Sequence, residues 1–569
     1  MEEAVLCRSA AKLRELFAIL VSTCGVSNPI QLWEKYKDAL SEDIAHTLQG
    51  THAELITNEA LKLIEDKINN LCGKNMVDFG LPTPQRRGEL SSDVIRELNY
   101  DTVALDTFVN EMTPHLLPEQ EHVYNLIIQR VNSGEPGIFF LDAPGGTGKT
   151  FVLNLLLARL RKDRNIALAV ASSGIAATLL TGGRTAHSTF KLPLNLASEE
   201  TPTCNISKTS NRGALLQQCK LIVWDECTMS HKRAVEALNR SLQDIRSNQA
   251  LMGGVVVLLA GDFRQTLPVI VRGTPADEMN ACLKASALWS KVEKLYLTCN
   301  MRVQLFNDLE CGEYASKLLQ IGEGVLQTNI DGKIEFNSDF CNPVMTEDEL
   351  ILCVYPNLQI NIRNHDWLCE RAVLSPKNES VHNINKKIME GLVEESKIYT
   401  SIDTVMSSDD STSYPVEFLN TLELTGVPSH KLELKIGVPV LLMRNLDAPR
   451  LCNGTRLCVT ETGRNVIKAT ILTGAAKGDS VLIPRIPIIP NNLPFEFKRL
   501  QFPLKLAFTM TINKSQGQTL KVAGLHLGTP CFAHGQLYVG CSRVSSAQNL
   551  YVLAENNKSY NVVYRDILK

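Results

Sequence analysis

Over the first hundred positions, apolar residues recur at three- and four-residue spacing. They line one side of residues 28–49 and 57–72, which predicts helices, with Gly73 as a helix stop. Pro82, Pro84 and the run Arg86-Arg87-Gly88-Glu89 read as a linker. Another helix is expected after it, with Ser92 as N-cap and Asp93 in its first turn. From about Pro114 the pattern changes. A helix beginning near Pro118 places Val123, Leu126, Ile127 and Val131 on one face. Short unbroken apolar runs follow at 138–141, 167–171, 221–224 and 255–259. Such runs, separated by helical stretches, predict strands buried on both faces of a parallel sheet. A second set lies at 372–374, 506–510 and 550–553. Between these, residues 401–415 are rich in Ser and Asp and read as a surface loop. Residues 431–490 are β-branched, punctuated by Gly and Pro, and read as hairpins. The expected fold class is α/β, with two doubly wound parallel-sheet domains, a small β-barrel-like insertion in the second, and an N-terminal helical region. The boundaries expected are 1–112 for the helical region, 113–300 for the first sheet domain, 301–395 and 500–569 for the second, and 396–499 for the insertion.

At 569 residues the chain is too long for one core. Its 44% hydrophobic and 21% charged residues exclude a disordered class. No apolar run reaches the ~20 residues needed to cross a bilayer, and no membrane partner is expected. Arg8, Lys12, Arg14 and Glu15 break the opening apolar stretch, which argues against a secretory signal. Sixteen cysteines contain no Cys-x-x-Cys, which argues against a structural zinc module and points to reduced, intracellular thiols. The net charge of −3 hides an imbalance: residues 431–569 hold 18 basic against 7 acidic side chains. That excess suggests a polyanionic partner.

The chemistry-bearing stretch begins at Ala143-Pro-Gly-Gly-Thr-Gly-Lys149-Thr150, directly after the first apolar run and before a helical stretch. Glycines Gly145, Gly146 and Gly148, with Thr147, let successive N–H groups face phosphate oxygens. Lys149 would reach the β- and γ-phosphates, and the Thr150 hydroxyl would hold magnesium. The strict pattern wants Gly where this chain has Ala143. A second apolar run ends in Asp225-Glu226, at the end of a strand where α/β folds bind ligands. Asp225 suits magnesium coordination and Glu226 suits polarising an attacking water. A third run ends in Gly261-Asp262-Phe263-Arg264-Gln265, and Gln265 could report on an intact nucleotide. The expected cofactors are ATP and Mg2+.

In this order the motifs resemble those of superfamily 1 helicases, specifically the petite integration frequency (Pif) family, with RecA-like domains. The closest look is to the helicase portion of Helitron-type transposons. Leu117-Pro-Glu-Gln120 is similar to the family's adenine-reading motif, with Gln120 as base reader. Residues 172–177 with Gly182, Gly183, Thr185, His187 and Ser188 resemble the first single-strand-contacting motif. Leu297-Thr-Cys-Asn-Met-Arg302 resembles the motif that sends Arg302 to the γ-phosphate, and Leu537–Arg543 the one that supplies Arg543. Leu374–Lys377 with Val381 and Asn385 is similar to a further strand–helix element. Thr511-Ile-Asn-Lys514-Ser515-Gln516-Gly517 resembles the motif linking DNA contact to hydrolysis, although the family often has His where this chain has Asn513. The resemblance implies catalytic roles for Lys149, Glu226, Gln265, Arg302 and Arg543. It implies DNA contacts from Ser173, His187, Thr511, Lys514, Ser515 and Gln516, and single-stranded and forked DNA as partners. It further implies 5′-to-3′ movement, roles in repair, recombination or telomere maintenance, and a nuclear location. Phe190 could offer a stacking face to bases. No two histidines stand one residue apart, so the rolling-circle nuclease often joined to Helitron helicases is not expected, and Tyr560 and Tyr564 read as packing residues. A nucleotide-gated switch without translocation, or an inactive nucleic-acid-binding remnant, are the alternatives.

Overall fold

The computed structural model describes residues 1–5, 9–47, 53–85, 92–193, 195–197, 199–270, 273–301, 309–407, 414–424, 426–447, 450–474, 476–490, 493 and 495–569. Chain packing divides it into two compact units. One gathers Met1–Glu89, Gln359–Cys369 and Met389–Phe508; the other gathers Leu90–Leu358, Glu370–Ile388 and Thr509–Lys569.

The second of these units holds both parallel sheets. Its first sheet has six parallel strands, β1 (Gly137–Asp142), β2 (Ile166–Ala171), β3 (Arg184–Thr185), β4 (Cys219–Asp225), β5 (Val256–Gly261) and β6 (Glu293–Tyr296), in the order β3-β2-β4-β5-β1-β6. The unbroken apolar runs have a simple cause. Ile138, Phe140, Ile222, Trp224, Val257 and Leu259 feed the core on one face, while Phe139, Leu141, Leu221, Val223, Val256 and Leu258 feed the core on the other. Successive strand residues point to opposite faces, so a sheet covered on both sides needs apolar residues at every position. The pattern did not reveal two strands: β3 has only two residues, and β6 alternates exposed Glu293, Lys294 and Tyr296 with buried Leu295.

Five more parallel strands form the second sheet, in the order Thr509–Thr511, Arg371–Ser375, Val522–Leu527, Leu550–Ala554 and Asn342–Val344. After it, the helix Arg565–Leu568 returns to the first sheet. Ile567 is buried in that sheet's core, and its carbonyl accepts a hydrogen bond from Lys284 at 2.6 Å. Tyr560 lies on the short strand Lys558–Tyr560 and Tyr564 just before the last helix, so the two share no helix.

Expectation and structure part at three places. The region expected to run as one to residue 112 divides, because Ser92–Leu98 and Thr102–Met112 pack on the first sheet. Val94 and Val109 enter its two cores, and buried Glu97 pairs with Arg184 at 3.3 Å. The apolar run at 506–510 also splits: Leu504–Leu506 joins an antiparallel sheet and Thr509–Thr511 the parallel one. Finally, the insertion expected as barrel-like is built, among the described residues, of antiparallel sheets of five, three and two strands. One of its strands, Ile402–Val405, falls within 401–415, the stretch expected as loop, of which 408–413 lies outside the described residues.

The other unit joins the N-terminal helices to those antiparallel sheets. Leu13, Leu16, Phe17, Trp33, Leu40 and Ile64 share a core with Val466 and Leu482 of the five-stranded sheet. At about 1.5–3 kcal/mol for each fully buried large apolar side chain, that cluster outweighs any polar contact around it. Glu15 adds an ion pair with Arg450 at 2.7 Å.

Candidate nucleotide site and its neighbours

β1 ends at Asp142, and the chain turns through residues 143–148 into the helix Lys149–Lys162. Gly146 and Gly148 take φ of +91° and +80°, values that L side chains rarely adopt, and this lets the backbone curl before the helix starts. The next strand but one in space, β4, ends at Asp225. Lys149 Nζ lies 2.7 Å from Asp225 Oδ1 and 3.0 Å from Glu226 Oε1, with its side chain only 11% exposed. Burial alone would lower the Lys149 pKa, but the two carboxylates outweigh it and hold the ammonium well above its ordinary value. Burial and the neighbouring Glu226 push Asp225 up, against the pull of Lys149.

Glu226 is strained. Its φ of +49° is left-handed, an uncommon place for a side chain this size, and its Oε2 is buried without a hydrogen-bond partner. Gln265, on the loop after β5, is buried too, and its Oε1 has no partner either. Orphaned acceptors beside a buried cation mark a site built for something else to complete.

A cavity of about 660 Å³ opens here, lined by the 143–151 loop and helix start, Glu226, Gln265, Asn300, Tyr538 and Arg543. The segment before Arg302 is fixed by Glu119, whose carboxylate accepts from Thr298 N at 2.7 Å, Thr298 Oγ1 at 2.5 Å and Cys299 N at 3.3 Å. Met301 N–H donates to the Gly146 carbonyl at 3.0 Å. Arg302 itself lies outside the described residues. Arg543 reaches the cavity wall while its guanidinium donates to the carbonyls of Val539, Ser515 and Gln518.

The residues fit a nucleotide with magnesium. Glycines open the backbone, a hydroxyl (Thr150) and a carboxylate (Asp225) supply hard oxygen donors, and the unpartnered Glu226 Oε2 and Gln265 Oε1 await partners. Among the described residues there is no group of three or more His, Cys, Asp or Glu able to hold a metal alone. Magnesium needs none, because it keeps waters and phosphate oxygens as ligands.

Other candidates take different places. Gln120, expected to read a base, is buried. Its Nε2 donates to the Thr147 carbonyl at 2.9 Å and its Oε1 accepts from Leu117 N–H at 3.1 Å, so it braces the loop. Ser173 caps the helix Gly174–Leu179 through Ala176 N–H, and His187 is exposed. Thr511 is half-buried and Lys514 exposed. Ser515 and Gln516, also expected to contact DNA, turn their side chains inward. Both are buried, with Ser515 Oγ donating to Ile512 O at 2.7 Å and Gln516 Oε1 accepting from Thr266 Oγ1 at 2.6 Å. Phe190 is likewise no stacking face, for it is fully buried against Trp224 with ring centroids 5.7 Å apart. Asn513 accepts from Gln536 Nε2 at 3.0 Å, which gives that departure from the family pattern a structural role. The basic excess of 431–569 is not one surface. It divides between the two units, and Lys435, Arg456, Arg499 and Arg543 are buried on internal acceptors. Glu119 and Thr266 were not singled out by sequence, because their partners, Thr298 and Gln516, stand far away in the chain and leave no spacing to read.

Comparison with known proteins follows the same lines. Residues 115–332 match the family described as PIF1-like helicase, and residues 417–462 match the 2B domain of DNA helicase Pif1. Similar relatives include the ATP-dependent DNA helicase Pif1 of Psychrobacter sp. (strain PRwf-1), 27% identical over 74% of this chain and 66% of the relative. That of Danio rerio is 26% identical over 77% and 61%, and that of Bdellovibrio bacteriovorus 28% over 78% and 89%. The chain thus spans just under two thirds of the first two relatives. In structure it is similar to Pif1 helicase from Candida albicans (TM-score 0.57, 22% identity, covering 80% of this chain and 97% of that one). It is also similar to Bacteroides Pif1 bound to single-stranded DNA (TM-score 0.55, 21% identity, 79% and 93%).

Proposed function

We propose that the chain is a PIF1-like helicase, an ATP-dependent DNA helicase that moves along single-stranded DNA. The observation that carries this reading is the buried triad of Lys149, Asp225 and Glu226, facing Arg543 across the cavity. The named activity of the relatives supports it: each is an ATP-dependent DNA helicase.

Magnesium-bound ATP, when present, supplies the phosphoryl group and a dication held by Thr150 and Asp225. Lys149 then exchanges its carboxylate partners for phosphate oxygens, which costs little because its charge is already fixed. Glu226, freed of the ammonium, accepts a proton from the attacking water on a carboxylate oxygen. Gln265 donates through its amide to the terminal phosphate. Arg543 and, by the family resemblance, Arg302 stabilise charge as it develops. Alternate gripping of a strand by the two parallel-sheet lobes, closed and reopened by hydrolysis, converts turnover into movement. By the family resemblance the direction is 5′ to 3′, the partners are single-stranded and forked DNA, and the setting is nuclear DNA repair, recombination or telomere maintenance.

Two measurements test this. ATP hydrolysis should rise on adding single-stranded DNA, and a duplex with a 5′ tail should be unwound while one with only a 3′ tail is not. Hydrolysis indifferent to DNA would leave a nucleotide switch, and unwinding from the 3′ tail would overturn the direction.

A further inference from the structure

The loop after β5, residues 262–268, is held from the second parallel-sheet lobe at three points. Asp262 Oδ2 accepts from Tyr538 Oη at 2.8 Å, the Phe263 carbonyl lies 2.8 Å from His534 Nε2, and Thr266 Oγ1 donates to Gln516 Oε1 at 2.6 Å. The first two fix the base of the loop. The third joins the residue beside Gln265 to the residue two beyond Lys514, and both side chains are buried, at 2% and 1% exposure.

On either side of this bond stands an unfinished group. Gln265 Oε1 and Gln516 Nε2 are both buried without a partner. A buried polar atom left unpaired carries a standing desolvation penalty, so each favours a rearrangement that gives it one. Gly517 takes φ of +80°, and a Cβ there would stand 3.5 Å from Ala176, in the 172–177 segment expected to face the strand. Gln516 thus sits where the nucleotide-side loop, the 172–177 segment and the Lys514 loop meet.

We infer that Thr266 is the positioning residue that couples Gln265 to the Lys514 loop, its hydroxyl passing a shift at the nucleotide to the DNA-side loop through Gln516. The inference rests on the proposed ATP-driven action on DNA and names an element of its coupling. In a site shielded from water a direct hydrogen bond of this kind is electrostatically stronger than in solvent. In the proposed reading Gln265, which lines the cavity, contacts the nucleotide, and Thr266 acts only through its neighbours.

The test compares Thr266→Val, which keeps the shape and removes the donor, with Thr266→Ser, which keeps the donor. Basal ATP hydrolysis, hydrolysis saturated with single-stranded DNA, and DNA affinity are measured for each. Thr266→Val should keep basal hydrolysis and DNA affinity while its DNA stimulation falls about tenfold, within the usual range for coupling between sites. Thr266→Ser should restore stimulation. Gln516→Met removes the acceptor instead and should lose stimulation equally, with the double variant no worse than either single one. That arm also decides the matter should Thr266→Val fold poorly. Undiminished stimulation in Thr266→Val, equal loss in Thr266→Ser, or additive losses in the double variant would each overturn the inference while leaving the helicase reading intact. A wild-type protein that DNA fails to stimulate overturns that reading first, and this inference with it.

Discussion

In the unit with the antiparallel sheets, Arg499 and Asp403 are wholly shielded from solvent and 2.7 Å apart. Every guanidinium nitrogen of Arg499 is engaged, with the Leu419, Leu422 and Pro428 carbonyls taking what Asp403 leaves, and Asp403 also accepts from Ser401. In the other unit, Lys149, Asp225 and Glu226 are nearly as buried. There, however, an acceptor is orphaned and a backbone is strained. Both clusters pay the cost of desolvating charge. Only the saturated one recovers it in the resting fold, because its hydrogen-bond capacity is spent. A buried charge with capacity left over is therefore the better guide to chemistry than burial alone.

The widest separation between the two clusters should appear in turnover. Lys149→Ala should lower ATP hydrolysis by about 10³-fold or more, as expected for a cation that stabilises charge on a transferring phosphoryl group. Phosphate release with and without single-stranded DNA measures it. Near-normal turnover would dissolve the distinction. Asp403→Ala should do the reverse. It leaves a buried guanidinium unpaired and should cost roughly 3–5 kcal/mol of stability, read by denaturant unfolding, with little change in turnover per folded molecule.

The same contrast explains what was legible in the sequence. Lys149, Asp225 and Gln265 could be found because each ends or shortly follows a strand whose apolar run announces it, in fixed spacing to glycines or neighbouring acids. Arg499 and Arg456 could not. Their partners lie far away in sequence, Asp403 and the Leu422 carbonyl for Arg499 and the Leu368 carbonyl for Arg456, and carbonyls carry no residue signature. The charge excess misled for this reason, counting buried structural arginines as surface. The joining of the N-terminal helices to the antiparallel sheets was equally hidden, since Phe17 and Val466 are ordinary apolar residues in amphipathic elements. Periodicity says that a face is buried and not what buries it.

A finer break in the comparison lies at exposed charge. Lys514 is exposed, on a loop whose other polar members, Ser515 and Gln516, are turned inward. Lys514→Ala should weaken single-strand binding for all sequences. The magnitude of the salt slope should fall by roughly 0.7 for one lost phosphate contact. Basal hydrolysis should persist, because the Lys149 triad is untouched. An unchanged slope would place the strand elsewhere.

The smallest effect concerns a buried group that is saturated only while neutral. His534 Nε2 lies 2.8 Å from the Phe263 carbonyl, and its Nδ1 accepts from Tyr564 N–H at 2.8 Å, with the Tyr564 ring stacked at 5.1 Å. A proton on Nδ1 would remove that acceptor and free the chain leading to the last helix. Burial lowers the His534 pKa from its ordinary 6.5, outweighing the pull of the Phe263 carbonyl and Asp262 in the other direction. The sign follows from proton counting. Between the lowered value and 6.5 the unfolded chain binds the proton and the folded one does not, so stability rises with pH there. The contribution is complete above 6.5 and fades as pH falls through the lowered value. The loss of stability should therefore grow as the pH is lowered from neutrality through that window. It should appear first as faster amide exchange at Tyr564 and Ile567, ahead of global unfolding. His534→Gln keeps a donor and an acceptor without a titration, and should flatten the pH dependence. If the variant unzips on acidification as readily as the wild type, the acid-labile group is another, and His534 belongs with Arg499 among the saturated structural contacts.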